Sequence, residues 1–135
     1  KKAVLKHGHE NFHFYCATKD NGDIIGAPGA KECELYLNSQ TWAVINGIVD
    51  GDTAKKVMAA VKKRLYKDYG ILLFTPAFSV ADKSVGYLTR YAPAVRENGG
   101  VYTHAATWAI IAQAVAGNVD DVYDTFKRIC PPLLS

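Results

Sequence analysis

Apolar positions along the chain follow two periods. Near the N-terminus Phe12, Phe14 and Cys16 alternate with His13, Tyr15 and Ala17, the period-2 spacing of a strand. Lys19-Asp20-Asn21-Gly22-Asp23 is a turn signal, because Asn-Gly tolerates positive φ, and Ile24-Ile25 returns as the second strand. The spacing predicts an N-terminal β-hairpin that Gly26-Ala27-Pro28-Gly29 ends. From Leu37 the period lengthens. Asn38 and Ser39 are predicted N-caps for a helix carrying Trp42 to Val49, apolar nearly all round and so buried on most sides. Asp50-Gly51-Asp52 closes it and caps a second helix. There Ala54, Val57, Met58, Val61 and Leu65 form one stripe and Lys55, Lys56, Lys62 and Lys63 lie off it. Gly70 is read as the residue that ends this helix.

Residues 71–100 read as mostly loop, with the apolar run Ile71-Leu72-Leu73-Phe74 and the prolines Pro76 and Pro93. A loop of that length in a compact domain is usually functional. The helical pattern then returns. Thr103 is a predicted N-cap, Ala105 to Ala116 is apolar nearly all round, and Gly117-Asn118 caps another amphipathic helix. Its stripe is Val119, Val122, Tyr123, Phe126 and Ile129, with Asp120 and Asp121 at the positive dipole end and Lys127 and Arg128 at the negative end. Pro131-Pro132 is expected to stop it.

The two helical pairs repeat. Thr41-Trp42-Ala43-Val44-Ile45 aligns with Thr107-Trp108-Ala109-Ile110-Ile111 at an offset of 66 residues, and Gly51-Asp52 meets Gly117-Asn118 at the same offset. A helix apolar on every side needs cover from several neighbours, and repetition of the unit supplies them. Inner helices ringed by outer helices make an α/α toroid or solenoid. Two hairpins cannot close such a ring, so the expected fold is mainly α, an arc of a larger barrel (two αα-hairpins) with the N-terminal β-hairpin.

Composition narrows the partners. The 135 residues suffice for one ordinary domain, and 49% hydrophobic with 21% charged residues is globular. A net charge of +3 from 16 Lys and Arg against 13 Asp and Glu is too small and dispersed for a nucleic-acid partner. Cys16, Cys33 and Cys130 hold no CxxC spacing, which argues against a disulfide framework and a zinc ribbon, and suggests buried free thiols. The apolar run from Ala105 to Val115 is shorter than the about 20 residues that cross a bilayer, so no membrane contact is expected. Lys1-Lys2-Ala3-Val4 opens no signal peptide pattern, and a reducing, cytoplasmic location is expected. The only methionine is Met58, so the chain reads as a piece of something longer.

The segment Arg96-Glu97-Asn98-Gly99-Gly100-Val101-Tyr102-Thr103-His104 carries the most chemistry. Two glycines let a backbone approach a ligand, and the N–H groups of the following helix favour an anion such as phosphate. His104 in the first turn can donate to that anion. Arg96 can bind a phosphate or an array of sugar hydroxyls, and Glu97 and Asn98 add groups able to hydrogen-bond hydroxyls. A plain glycine turn with Thr103 capping and His104 packed is the other reading of the same residues. At the offset of 66, Asn38 corresponds to His104, and Gln40 shares that rim of the first inner helix. Tyr87, Tyr91, Trp42 and Trp108 have the chemistry to stack on sugar rings, although the two tryptophans better suit the core. His7, His9, His13 and Glu10 lack metal-ligand spacing, and nothing places Glu32 and Glu34 as an acid/base pair.

Leu37-Asn38-Ser39-Gln40-Thr41-Trp42-Ala43-Val44-Ile45-Asn46-Gly47, Tyr69-Gly70-Ile71-Leu72-Leu73-Phe74-Thr75-Pro76 and, above all, Val95 to Ala106 resemble signatures of inverting β-glycoside phosphorylases. These are the cellobiose and chitobiose phosphorylases of glycoside hydrolase family 94. The resemblance runs from the Phe12 hairpin to Pro131. The version at residues 96–106 looks nearest to members acting on β-1,2-glucans, including the phosphorylase-like part of cyclic β-1,2-glucan synthases.

The resemblance implies an (α/α)6 barrel and reversible, inverting phosphorolysis of a β-glycosidic bond that yields an α-sugar 1-phosphate. The expected partners are a β-linked disaccharide or oligosaccharide and inorganic phosphate, the co-substrate, with no further cofactor and no metal. His104 matches a phosphate-site histidine. Arg96 falls where the family often has Lys against the acceptor sugar, and its planar fork suggests a different acceptor. The general-acid Asp of a Gly-Asp-Trp-Asn-Asp-Gly-type motif is not in this sequence, so no catalytic residue is assigned here and the chain alone is expected to be inactive. A further phosphate-contacting Thr-Gly is expected downstream. Exposed inner-helix surface of a cut barrel favours a homo-oligomer. Two other readings remain open: a non-catalytic helical repeat module binding glycan or protein, and a hydrolase on the same toroid with a second carboxylate to activate water.

Overall fold

A computed structural model describes residues 1–131. It contains five α-helices: α1 (Lys2–His7), α2 (Leu37–Ile45), α3 (Gly51–Leu65), α4 (Thr103–Val115) and α5 (Val119–Ile129). Helices α2 with α3, and α4 with α5, are the two predicted hairpins, and the inner helices α2 and α4 pack against each other. Equivalent residues of the repeat meet. The Trp42 and Trp108 rings lie 4.8 Å apart. The Thr41 hydroxyl donates to the Asn38 carbonyl at 3.2 Å, and Thr107 does the same to His104 at 2.6 Å.

Both inner helices start earlier than their polar residues suggest. Asn38, Ser39 and Thr103 lie inside the first turns, and Tyr36 and Tyr102 occupy the extended cap positions without a side-chain cap bond. The reason lies in residues 71–75. This buried segment pairs on one side with the entry to α2 and on the other with the entry to α4. Strand β5 (Leu35–Tyr36) pairs with β8 (Phe74–Thr75), Leu37 N–H donates to Leu73 O at 2.8 Å, Leu73 N–H donates to Gly100 O at 2.9 Å, and Leu72 bridges Val101. Each chain leaves the ladder and coils at once, so no side-chain cap is needed. The two helix N-termini are thereby held side by side. Much of the expected long loop is therefore core at its start: Ile71, Leu72, Leu73 and Phe74 are buried. The remainder is irregular, with a 3₁₀ turn at Tyr87–Arg90.

The stripe of α3 faces inward as predicted, with Ala54, Val57, Met58, Val61 and Leu65 all buried. Gly70 does not end that helix. Helix α3 stops at Leu65, and a tight hairpin of β6 (Tyr66–Lys67) and β7 (Gly70–Ile71) follows. The stripe of α5 is a second correction. Val119, Tyr123 and Phe126 are exposed, and the one fully buried residue is Thr125. Polar anchors set that roll: the Tyr66 and Thr125 hydroxyls meet at 2.7 Å, Arg128 Nη1 donates to Lys67 O at 2.7 Å, and Lys62 pairs with Asp121. Helix α5 ends at Ile129; of the expected stop signal, Pro132 lies outside the described residues.

The Asn21-Gly22 turn forms as read, between β3 (Ala17–Thr18) and β4 (Ile24–Ile25), with Gly22 at φ 91°. Residues 12–17 are not one strand. Asn11 and Phe12 have φ of 49° and 60° and turn an earlier hairpin, β1 (His9–Glu10) with β2 (His13–Phe14). Phe12 N–H donates to His9 Nδ1 at 3.2 Å and the two rings stack, a local bond that outcompetes the alternation.

An ion pair ties α3 to the segment that enters α2. Arg64 on α3 grips Glu34 bidentately, with Nη1 donating to Oε1 at 2.8 Å. The guanidinium lowers the Glu34 carboxyl from 4.5 to about 2. A depressed carboxylate stabilises the fold fully above about pH 4.5 and loses that contribution as pH falls towards 2. The thermal midpoint should therefore drop across that window, and Arg64→Met should flatten part of the drop. Asp82, held at about 2 by Ser84 and Lys19, accounts for a share of the remainder. Because Arg64 is 37% exposed, the variant should cost about 1 kcal/mol or less at pH 7. Melting curves from pH 2 to 7 test both statements.

Candidate functional site

The loop before α4 is built to hold its shape. Ala94 and Arg96 have φ of 64° and 51°, Ala94 N–H donates to Asn98 O at 2.9 Å, and Gly100 N–H donates to Arg96 O at 3.1 Å. At Gly100 a Cβ would meet Arg96 O at 2.8 Å, Arg96 N at 2.9 Å and Ala94 O at 3.0 Å. The close approach that the double glycine permits is therefore loop against loop. Asn98 is fully buried and its amide is committed to backbone. It accepts from Phe78 N–H at 2.9 Å and donates to Phe78 O and Tyr91 O, each at 2.9 Å.

Gln40 behaves alike. It is 1% exposed, accepts from Phe14 N–H at 3.0 Å and donates to Phe14 O at 2.7 Å, stitching the N-terminal hairpins to α2. Both amides were expected at the sugar; in the structure both turn inward, clasp the backbone N–H and carbonyl of one residue, and donate to the carbonyl of a second, Tyr91 for Asn98 and Tyr36 for Gln40. Periodicity places a residue on a face, but it does not reveal that a neighbouring strand edge will consume the amide.

Of the other expected groups, His104 and Arg96 reach the surface and Glu97 is half-buried. His104 is exposed in the first turn of α4, beside Tyr102 and in edge contact with Trp108 at 5.7 Å. It is not packed in the interior, and the first N–H groups of α4 add partial positive charge beside it. Arg96 is exposed, lies over the Tyr91 ring at 4.8 Å and has Nε 3.7 Å from Glu97 Oε2. Tyr91 and Tyr87 share a hydroxyl–hydroxyl bond of 2.9 Å.

Glu97 is half-buried. Its Oε1 accepts from the Tyr102 hydroxyl at 3.3 Å, and its Oε2 is buried without a hydrogen-bond donor. A buried carboxylate oxygen without a donor is costly and marks a place where a ligand hydroxyl would be welcome. The fork of Arg96, the acceptor at Glu97 and the donor at His104 together suit a phosphorylated or polyhydroxyl ligand.

The first inner helix presents a related feature. A cavity of about 610 Å³ runs between α1, the β-hairpins and α2, with Tyr36, Asn38 and Trp42 among its lining. Asn38 Oδ1, the repeat equivalent of His104, is buried there without a donor. Its expected capping role is absent. Trp42 is 37% exposed beside that cavity and is not the core residue expected. Sequence reading missed the pairing of Tyr102 with Glu97. The offset of 66 that joins Tyr36 to Tyr102 was the available signal. Glu32 and Glu34 serve structure: Glu32 Oε1 accepts from Ser79 N–H at 2.7 Å, and Glu34 holds Arg64.

Two paired αα-hairpins, with Arg96, Glu97 and His104 at the entry to the second inner helix, define a mainly α-helical domain. The chain belongs to the glycosyl hydrolase 94 superfamily: the model of that family's catalytic domain matches residues 1–135. Among its relatives is the solabiose phosphorylase of Paenibacillus borealis, 37% identical over 131 residues, covering 97% of this chain and 17% of that protein. The N,N'-diacetylchitobiose phosphorylase of Vibrio furnissii is 35% identical over 84% of this chain and 14% of its own length. The cyclic beta-(1,2)-glucan synthase NdvB of Rhizobium meliloti (strain 1021) is 31% identical over 97% of this chain and 5% of its own length. The chain thus spans a sixth or less of the length of these relatives.

Proposed function

We propose that this segment supplies part of the phosphate and sugar site of an inverting glycoside phosphorylase, a hexosyl transferase to phosphate. The carrying observation is the set of groups at the mouth of α4: His104 exposed at the helix N-terminus, Arg96 exposed in the loop before it, and Glu97 with a buried oxygen that accepts no hydrogen bond. In the reaction, a phosphate oxygen attacks the anomeric carbon of a β-glucoside from the face opposite the leaving oxygen. The C–O bond breaks, and a carboxylic acid supplied from outside this segment protonates the departing oxygen. His104 donates a hydrogen bond to the phosphate, and the first N–H groups of α4 add their dipole. Arg96 steadies the acceptor-side sugar, and Glu97 accepts from one of its hydroxyls. Asn98, Gly100 and Tyr102 hold the loop that presents them, and Gln40 holds α2 beside it.

Because the proton donor lies elsewhere, the isolated chain releases no sugar 1-phosphate. The test is made on the full-length enzyme, with β-linked glucose and N-acetylglucosamine disaccharides and with phosphate present or omitted. α-Sugar 1-phosphate formed only when phosphate is present supports the proposal. Free sugar released at the same rate without phosphate identifies a hydrolase, and no turnover on any disaccharide favours a binding module.

A further inference from the structure

The cavity of about 610 Å³ beside α2 has a lining unlike that of the α4 entry. Its size falls within the range of about 300–1,000 Å³ usual for ligand clefts. Among the described residues, no Asp, Glu, Lys or Arg lines it, whereas Arg96, Glu97 and His104 stand at the entry to α4. A neutral occupant is therefore favoured over phosphate. Asn38, Ser39 and Trp42 of α2 and Asn46 at its end supply polar and aromatic groups to the lining. Asn38 Oδ1 is buried and accepts no hydrogen bond, although Gln40 on the next turn has its amide bonded to Phe14 and Tyr36. Trp42 keeps 37% of its surface exposed. At the offset of 66, the second inner helix carries Ala105 and Ala112, 1% and 0% exposed, where the first carries Ser39 and Asn46. Alanines let an inner helix close on its neighbours. Closing another helix over this face of α2 would bury Ser39, Asn46 and the Asn38 amide, which is costly without partners. A sugar hydroxyl both donates and accepts, and the C–H face of a pyranose ring matches the apolar face of an indole.

We propose that this cavity is a second sugar subsite, in which a neutral pyranose ring lies against the Trp42 indole and exchanges hydrogen bonds with Asn38, Ser39 and Asn46. The Trp42 ring lies 4.8 Å from Trp108, which meets His104 at 5.7 Å, so the cavity and the α4 entry adjoin across a pair of indoles. The inference rests on the reading of the α4 entry as a phosphate and sugar site. The ring beside α2 is then an outer unit of an oligosaccharide whose reacting end lies near His104. Contacts to that remote ring add binding energy that a disaccharide forgoes, so the subsite selects for longer chains.

The test uses the full-length enzyme with β-1,2- and β-1,4-linked glucose oligosaccharides of two to four units. Two quantities are read: kcat/KM with phosphate, and affinity by titration calorimetry without it. The wild type should prefer the tetrasaccharide to the disaccharide of the same linkage. Trp42→Ala should lower that preference about tenfold and Asn38→Ala about fivefold, the scale of one stacked ring or one lost hydrogen bond. A purely structural role would lower both rates alike and leave the preference unchanged. Ala17→Trp fills the cavity from its opposite, exposed wall and should abolish the preference without altering α2. It reads the result even where an α2 variant fails to fold. Equal kcat/KM at every chain length in the wild type, or a preference unchanged in Ala17→Trp, would overturn the subsite while phosphate-dependent turnover still upheld the reading of the α4 entry. If no oligosaccharide is turned over, that reading fails and calorimetry decides the subsite. Tetrasaccharide binding that Ala17→Trp abolishes upholds it, and no binding, or binding that Ala17→Trp leaves unchanged, overturns it.

Discussion

In the full-length enzyme, His104→Ala should lower kcat/KM for phosphate about 100-fold, the order of effect seen when one preorganised donor to a developing or bound oxyanion is removed. The loss should fall on the phosphate dependence, because the side chain stands at the positive end of α4 and apart from Arg96 and Glu97 in the loop. KM for the glycoside should change little. Stability should change little as well, within about 0.5 kcal/mol, since an exposed side chain without a hydrogen bond is removed. Initial rates of sugar 1-phosphate formation at varied phosphate decide the matter. His104→Gln, which keeps a donor at similar reach, should recover part of the rate. Unchanged phosphate dependence in His104→Ala would remove His104 from the site.

Asn98→Ala should be the most damaging change in the loop. Three hydrogen bonds of 2.9 Å disappear, and Phe78 N–H, Phe78 O and Tyr91 O lose their partner in a residue environment that is fully buried. At about 1 kcal/mol for each bond, with the cost of orphaned backbone groups added, the loss is about 3–5 kcal/mol. Urea denaturation of the chain should show it as a lower midpoint at unchanged slope. Asn98→Asp should also destabilise, because a carboxylate keeps the acceptor for Phe78 N–H but faces two carbonyls it cannot donate to. In the full-length enzyme either variant should weaken glycoside binding by loosening Arg96 and Glu97. A stability change under about 1 kcal/mol for Asn98→Ala would show that the loop keeps its shape by other means.

The parts of the fold readable from residue order are those with local physical causes. The stripe of α3 reads correctly because one helix face meets one core. The Asn21-Gly22 turn reads correctly because positive φ is a property of the residues themselves. The repeat of 66 residues reads correctly because each inner helix requires the same neighbours, and Trp42 against Trp108 is the outcome. The failures share a non-local cause. The stripe of α5 turns outward because Tyr66, Lys67 and Lys62, contributed from the other hairpin, bind Thr125, Arg128 and Asp121. The predicted caps are empty because residues 71–75 supply the backbone partners at both helix entries.

The candidate site divides along the same line. His104, Arg96 and Glu97 were nameable in advance because their chemistry is written in their side chains and their place before a helix is written in the pattern around them. Glycine, apolar run and offset likewise settle that there are two helical hairpins and where each inner helix lies. The assembled chain alone decided that Gln40 and Asn98 spend their amides on Phe14 and Phe78 and that Glu97 keeps one oxygen without a donor. Each of those outcomes depends on which groups arrive from other segments of the chain, and periodicity carries information only along it.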